Sequence, residues 1–121
     1  NKKNRDQVGG LSGAPLFRFS SEKLSEAYAF AGGQISLIGV GGVRNVTDAY
    51  TKILLGADLV QLYSSLALSG PHIANHINTN LTKLCLGEGL RDLSEVRGSF
   101  SSFDKAHRHA EHAVKTHLKP E

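Results

Sequence analysis

The sequence predicts an α/β fold built on parallel strands, and three observations carry that expectation. Two short apolar runs, Ile35 to Val40 and Asp58 to Tyr63, alternate with segments whose apolar residues recur at helical spacing. The connections between them are short, which strand–helix–strand units satisfy with right-handed crossovers and a parallel sheet. Small or hydroxyl residues cluster where strands should lead into helices, at Leu11-Ser12-Gly13, Gly41-Gly42 and Tyr63-Ser64.

In chain order, a glycine-rich loop, Gly9 to Leu16, precedes Ser20 and Ser21, which are placed to cap a helix running to about Phe30. Leu24, Ala27 and Tyr28 form its expected inner face. The run from Ile35 to Val40, bounded by glycines, suits a strand buried on both faces. Val46, Ala49, Ile53 and Leu54 then mark a helix to Leu55, with Gly56 just beyond it as a left-handed cap. Asp58 to Tyr63 gives the second strand, and Ile73, Ile77, Leu81 and Leu84 share one face of a further helix ended by Gly87 and Gly89. Two parallel strands cannot cover their own faces and edges, so the pattern describes a piece of a larger α/β body. Residues 1–98 form that piece; residues 99–121 read as a polar, His-rich tail, peripheral or locally helical, with Ala106, Ala110, Ala113 and Val114 as its apolar positions.

Composition narrows the function classes. With 121 residues, 40% apolar and 21% charged, the chain has the make-up of a globular protein. Its net charge of +3 is interspersed apart from Lys2, Lys3 and Arg5, and no basic stripe or aromatic platform points to nucleic acid. The lone Cys85 lies in an apolar helical pattern and reads as a buried structural thiol. No apolar run reaches the roughly 18 residues of a membrane span. The opening residues lack an initiator methionine and a signal-peptide core, as in a chain continuing from an upstream segment.

The three loop clusters suit a phosphate. Glycine lets backbone N–H groups approach an anion, a following helix start adds partial positive charge, and Ser64 adds a hydroxyl. In β/α barrels this edge carries active sites, and the loops after the last strands bind phosphate. Other readings fail on spacing: a dinucleotide fingerprint from Gly39 meets Arg44 where its third glycine belongs, and Gly10-Leu11-Ser12-Gly13 is one residue short of a nucleophile elbow. His72 and His76, and His107, His109, His112 and His117, lack a companion cysteine and read as solvated helical faces, so no metal is expected. Asp48 reads as a helix-start charge and Glu95 as a surface carboxylate. No catalytic acid, base or nucleophile stands out.

Gly9-Gly10-Leu11-Ser12-Gly13-Ala14-Pro15-Leu16, Ile38-Gly39-Val40-Gly41-Gly42-Val43, Asp48-Ala49, Gly56-Ala57-Asp58 running through Val60-Gln61-Leu62-Tyr63-Ser64, and Gly70-Pro71 stand in register. Together they resemble the class 2 dihydroorotate dehydrogenases, from about Asp6 to about Gly98. The strand, Gly-Gly, helix and Gly-Ala-Asp order is shared by many phosphate- and flavin-binding barrels; the opening run joined to Val-Gln-Leu-Tyr-Ser is narrower. Ser12 is similar to class 2 rather than class 1.

The resemblance implies the C-terminal portion of a TIM (β/α)8 barrel that oxidises dihydroorotate to orotate in pyrimidine synthesis, passing a hydride to FMN and electrons to a quinone. It places the FMN phosphate on backbone amides of Gly13, Gly42, Tyr63 and Ser64, with Gly41 close by and the Ser64 side chain contributing. The family's serine base, flavin-contacting lysine and asparagines, and quinone tunnel precede this stretch. The remainder of the barrel is therefore an expected partner and the principal binder of dihydroorotate, orotate and quinone. The piece alone is expected to be neither fully folded nor active. Membrane association, at the mitochondrial inner membrane or the bacterial cytoplasmic membrane, is implied through the missing N-terminal region. Arg44-Asn45 departs from the small residues usual after the glycine pair, and the tail is longer than the family's. The alternatives are another FMN- or phosphate-binding barrel enzyme, or a non-catalytic interaction module using the tail.

Overall fold

The structure, a computed structural model, describes residues 12–118. Gly9, Gly10 and Leu11 of the glycine-rich run and the basic cluster at Lys2, Lys3 and Arg5 lie outside the described residues. A 3₁₀ turn at Ala14–Leu16 leads into α1 (Phe17–Ala31), followed by β1 (Ile38–Val40), α2 (Val46–Leu54) and β2 (Leu59–Gln61). Then come α3 (Ser64–Ser69), α4 (Ile73–Gly87), a second 3₁₀ turn at Leu93–Glu95 and α5 (Phe103–His117). The two strands pair in parallel, Ile38 opposite Leu59, Gly39 opposite Val60 and Val40 opposite Gln61.

The expected strands form but are shorter than their apolar runs. At their start Asp58 takes over from the ladder, its amide donating to Leu37 O (2.8 Å) and its carboxylate accepting from Leu37 N (2.9 Å). Burial on both faces, expected for β1, is not observed. Helices cover Gly39, whereas Ile38 (55% exposed), Val40 (44%) and Leu59 (65%) present a bare apolar face on the other side. That asymmetry is what the inner wall of a barrel shows when its remaining strands are not among the described residues.

α1 begins at Phe17 rather than at the expected Ser20 or Ser21 cap. Pro15 presets the preceding turn and carries it directly into the helix, leaving both serines inside. Their side chains face inward with Phe17, Leu24 and Ser25, while Ala27, expected on the inner face, is exposed. In α2, Arg44-Asn45 forms the helix start. Asn45 Oδ1 accepts from Asp48 N (2.9 Å), and the Asp48 carboxylate accepts from Arg44 N (3.1 Å) and Nε (3.0 Å). The departure from small residues thus supplies a cap and an ion pair, and Asp48 serves as the helix-start charge. α4 buries Ile77, Leu81 and Leu84, as their spacing predicts. Cys85 is only half-buried, its thiol donating to Leu90 O (3.4 Å), and burial pushes its pKa up.

The segment after Gly98 is not peripheral. Ala106, Ala110 and Ala113 of α5 are at most 1% exposed, and the helix lies across α2 and α4. Small side chains let the helix backbones approach, which polar composition alone does not reveal. Three of the tail histidines accordingly turn inward. His107 stacks on Phe103 (5.4 Å between ring centroids) and meets Thr51 Oγ1 at 3.3 Å. His109 sits beside Phe100 (5.2 Å), and both His109 and His117 approach Glu88 at 3.6 Å. His112 alone of the four is exposed, as are His72 and His76. Among the described residues no cluster of three His, Cys, Asp or Glu side chains is placed to hold a metal.

Ala110→Leu is expected to lower stability by about 1–3 kcal/mol, because added methylenes have no room at a fully buried helix contact. His112→Gln, on the exposed side of the same helix, should change it by less than about 0.5 kcal/mol. Thermal denaturation checks both, and equal effects would contradict this packing.

Candidate anion-binding site

Beyond β1 the chain turns through Gly41 (φ 107°) and Gly42 (φ 74°), a backbone that side chains seldom adopt. The loop is pressed onto the first turn of α1. A Cβ on Gly42 would stand 2.7 Å from Phe17 N and 2.8 Å from Gly13 O; one on Gly41 would stand 2.8 Å from Ser20 Oγ. Gly13 and the Gly41-Gly42 pair, separate in sequence, therefore meet in one corner.

The third loop is tied to the same corner. Ser65 Oγ of α3 donates to Val43 O immediately after the glycine pair, holding the start of α3 against it. Ser64 opens that helix and Tyr63 precedes it, with the Tyr63 ring 82% exposed, so a role for Tyr63 in the corner falls to its backbone. The residues before α1 and α3, Leu16 and Tyr63, make no side-chain capping bond. The start of α3 thus adds partial positive charge to the corner, while at the start of α1 the Leu16 and Phe17 amides already donate to Gly13 O and Ala14 O.

Beneath this loop lies Lys52, which the sequence reading did not single out. It has no solvent exposure. Its Nζ donates to Ser20 Oγ (2.5 Å) and Val40 O (3.3 Å) and stands 5.1 Å from the centre of the Phe17 ring. Ser20 Oγ in turn lies 3.0 Å from Gly41 O and 3.1 Å from Phe17 O. The lysine stem crosses β1 at Gly39, where a Cβ would come within 3.2 Å of Lys52 Cβ. Desolvation pulls the Lys52 pKa down to about 8, opposed by the charge of Asp48 one turn back. The available signal was a lysine amid the buried face of a helix, opposite a strand with glycine at its centre.

The Gly-Ala-Asp turn is structural. Asp58 pairs with Arg97 (2.8 Å), whose guanidinium donates to Gly56 O (3.0 Å) and lies over the Tyr28 ring (5.2 Å). Glu95 is exposed and accepts from Arg91 N (3.2 Å).

The family described as dihydroorotate dehydrogenase matches residues 1–85. The dihydroorotate dehydrogenase (quinone) of Deinococcus radiodurans is 47% identical over 95 residues, covering 78% of this chain and 26% of that protein. That of Xanthobacter autotrophicus is 41% identical over 96 residues, covering 79% and 27%. The crystal structure of DHODH from Eimeria tenella in complex with ferulenol superposes with a TM-score of 0.73 at 31% identity, over 80% of this chain and 26% of that one. The chain spans about a quarter of the length of these relatives.

Proposed function

This chain belongs to the class 2 dihydroorotate dehydrogenase family, and from that premise we propose that it supplies the FMN phosphate site of a barrel that oxidises dihydroorotate to orotate in pyrimidine synthesis. The observation that carries the reading is the convergence of Gly13, Gly41-Gly42 and the start of α3 at the carboxyl ends of two adjacent parallel strands. A phosphate suits such a corner, since glycine lets backbone N–H groups come close to an anion and the start of α3 adds partial positive charge. Amides of Gly13, Gly42, Tyr63 and Ser64 hold the phosphate, Gly41 gives it close approach, and the Ser64 hydroxyl adds a donor. Bound FMN supplies the hydride acceptor.

Everything else in the reaction falls to partner segments of the same barrel. The bare face of Ile38, Val40 and Leu59, and the groove beside β2 lined by Leu66, Ile77, Leu81 and Leu93, suit that covering. Dihydroorotate, orotate and quinone bind mainly there, as does the serine base. Membrane association falls to segments of the barrel other than this chain, at the bacterial cytoplasmic or mitochondrial inner membrane; the two quinone-type relatives named above are bacterial. Among the described residues no helix is long and apolar enough to cross a membrane. The packing of α5 into the core does not favour the reading of residues 99–121 as a free interaction surface.

The first test is the visible absorption spectrum of the assembled barrel containing this chain. Flavin bands that bleach on adding dihydroorotate are expected. A protein that stays colourless after FMN is added would exclude the flavin assignment and leave the corner to a phosphorylated substrate.

A further inference from the structure

We infer that Lys52 is the positioning residue of this corner, turning the Gly41 and Gly42 amides toward the bound phosphate and supplying the positive charge beneath it; the inference rests on the phosphate-site reading above. A buried ammonium is expensive unless it is paired. The polar contacts of Lys52 are a hydroxyl and a peptide carbonyl, and the nearby carboxylate of Asp48 is bonded to Arg44. Within the described residues the charge therefore lacks an ion-pair partner of its own, directly under the loop where an anion would sit.

The hydrogen bonds also fix direction. A trans peptide points its C=O and N–H to opposite sides, and no cis bond occurs among the described residues. Lys52 draws Val40 O inward, so the N–H of the same peptide, that of Gly41, points away from the lysine. Ser20 Oγ accepts from Lys52 and approaches Gly41 O, which turns the Gly42 N–H outward in the same way. One buried amine thus sets the orientation of two consecutive donors. Gly39 leaves the slot its stem needs. In a water-poor site such a charge acts on a dianion with little screening.

The test compares FMN with riboflavin, which lacks the phosphate, binding to the assembled apoprotein by fluorescence quenching. Lys52→Met is expected to reduce the preference for FMN over riboflavin by about 10- to 100-fold, leaving riboflavin affinity within about twofold of the parent. Ser20→Ala, a smaller change that cuts the link to Gly41, should reduce the preference by about 3- to 10-fold. An unchanged preference in both folded variants would overturn the role of Lys52 while leaving the phosphate site standing. So would equal losses for the two ligands, which would mark a purely structural lysine. A parent that binds riboflavin as well as FMN, or neither, would overturn both the inference and the phosphate reading.

Discussion

Gly42→Ala is expected to lower the stability of the assembled barrel by about 3–4 kcal/mol and to leave it with almost no bound flavin. Two separate effects add here. Alanine resists the positive φ of 74° at this position, which alone costs on the order of 1 kcal/mol. The larger effect is steric, because the new methyl would stand 2.7 Å from Phe17 N and 2.8 Å from Gly13 O, backbone atoms that no rotamer change can move aside. The loop must lift away from α1, and Gly13 and the glycine pair then no longer meet in one corner. Gly89 is the control, with φ 73° and nothing within 4 Å of an added Cβ. Gly89→Ala should cost only about 1 kcal/mol and keep its flavin. Denaturant unfolding and the flavin-to-protein absorbance ratio check the pair, and similar results for both would contradict the close approach.

Lys52→Met is expected to make the ligand-free protein more stable at pH 7, by up to about 3 kcal/mol, even as it weakens FMN binding. The folded-state pKa of about 8 lies below the ordinary lysine value of 10.5, because burial disfavours the ammonium. The folded state therefore holds its proton less firmly than the unfolded chain does. Below pH 8 both states are protonated and the full cost is present. Between pH 8 and 10.5 the unfolded state binds more protons, so the parent gains stability as pH rises. The gap between parent and variant should accordingly narrow across that window. Tyr50, whose pKa burial pushes up to about 12, acts in the opposite sense above pH 10, but it is common to both proteins and drops out of the difference. Thermal melts of both proteins at pH 7, 8.5 and 10 test this, and a parent that is the more stable at pH 7 would contradict it. Such a trade would place Lys52 among residues kept for ligand binding at a cost in stability.

The sequence by itself determined the α/β class, the parallel pairing and the residues of the glycine corner. Those features are written in local chemistry. Val46, Ala49, Ile53 and Leu54 fall at helical spacing, glycine marks the turns, and the loop clusters follow the strands. Only the tertiary structure decided the rest. Whether Ser20 caps a helix or lies inside one depends on Pro15 and on the loop packed above it. Whether the His-rich tail is solvated depends on three alanines finding α2 and α4, which lie about 60 and about 30 residues earlier in the chain. Lys52 illustrates the reason most directly. A lysine in the last turn of a helix ordinarily reaches solvent, and only the strand crossing at Gly39 and the α1 turn above it enclose this one. Spacing along a chain encodes which face a residue joins; what that face meets is set by partners far away in sequence.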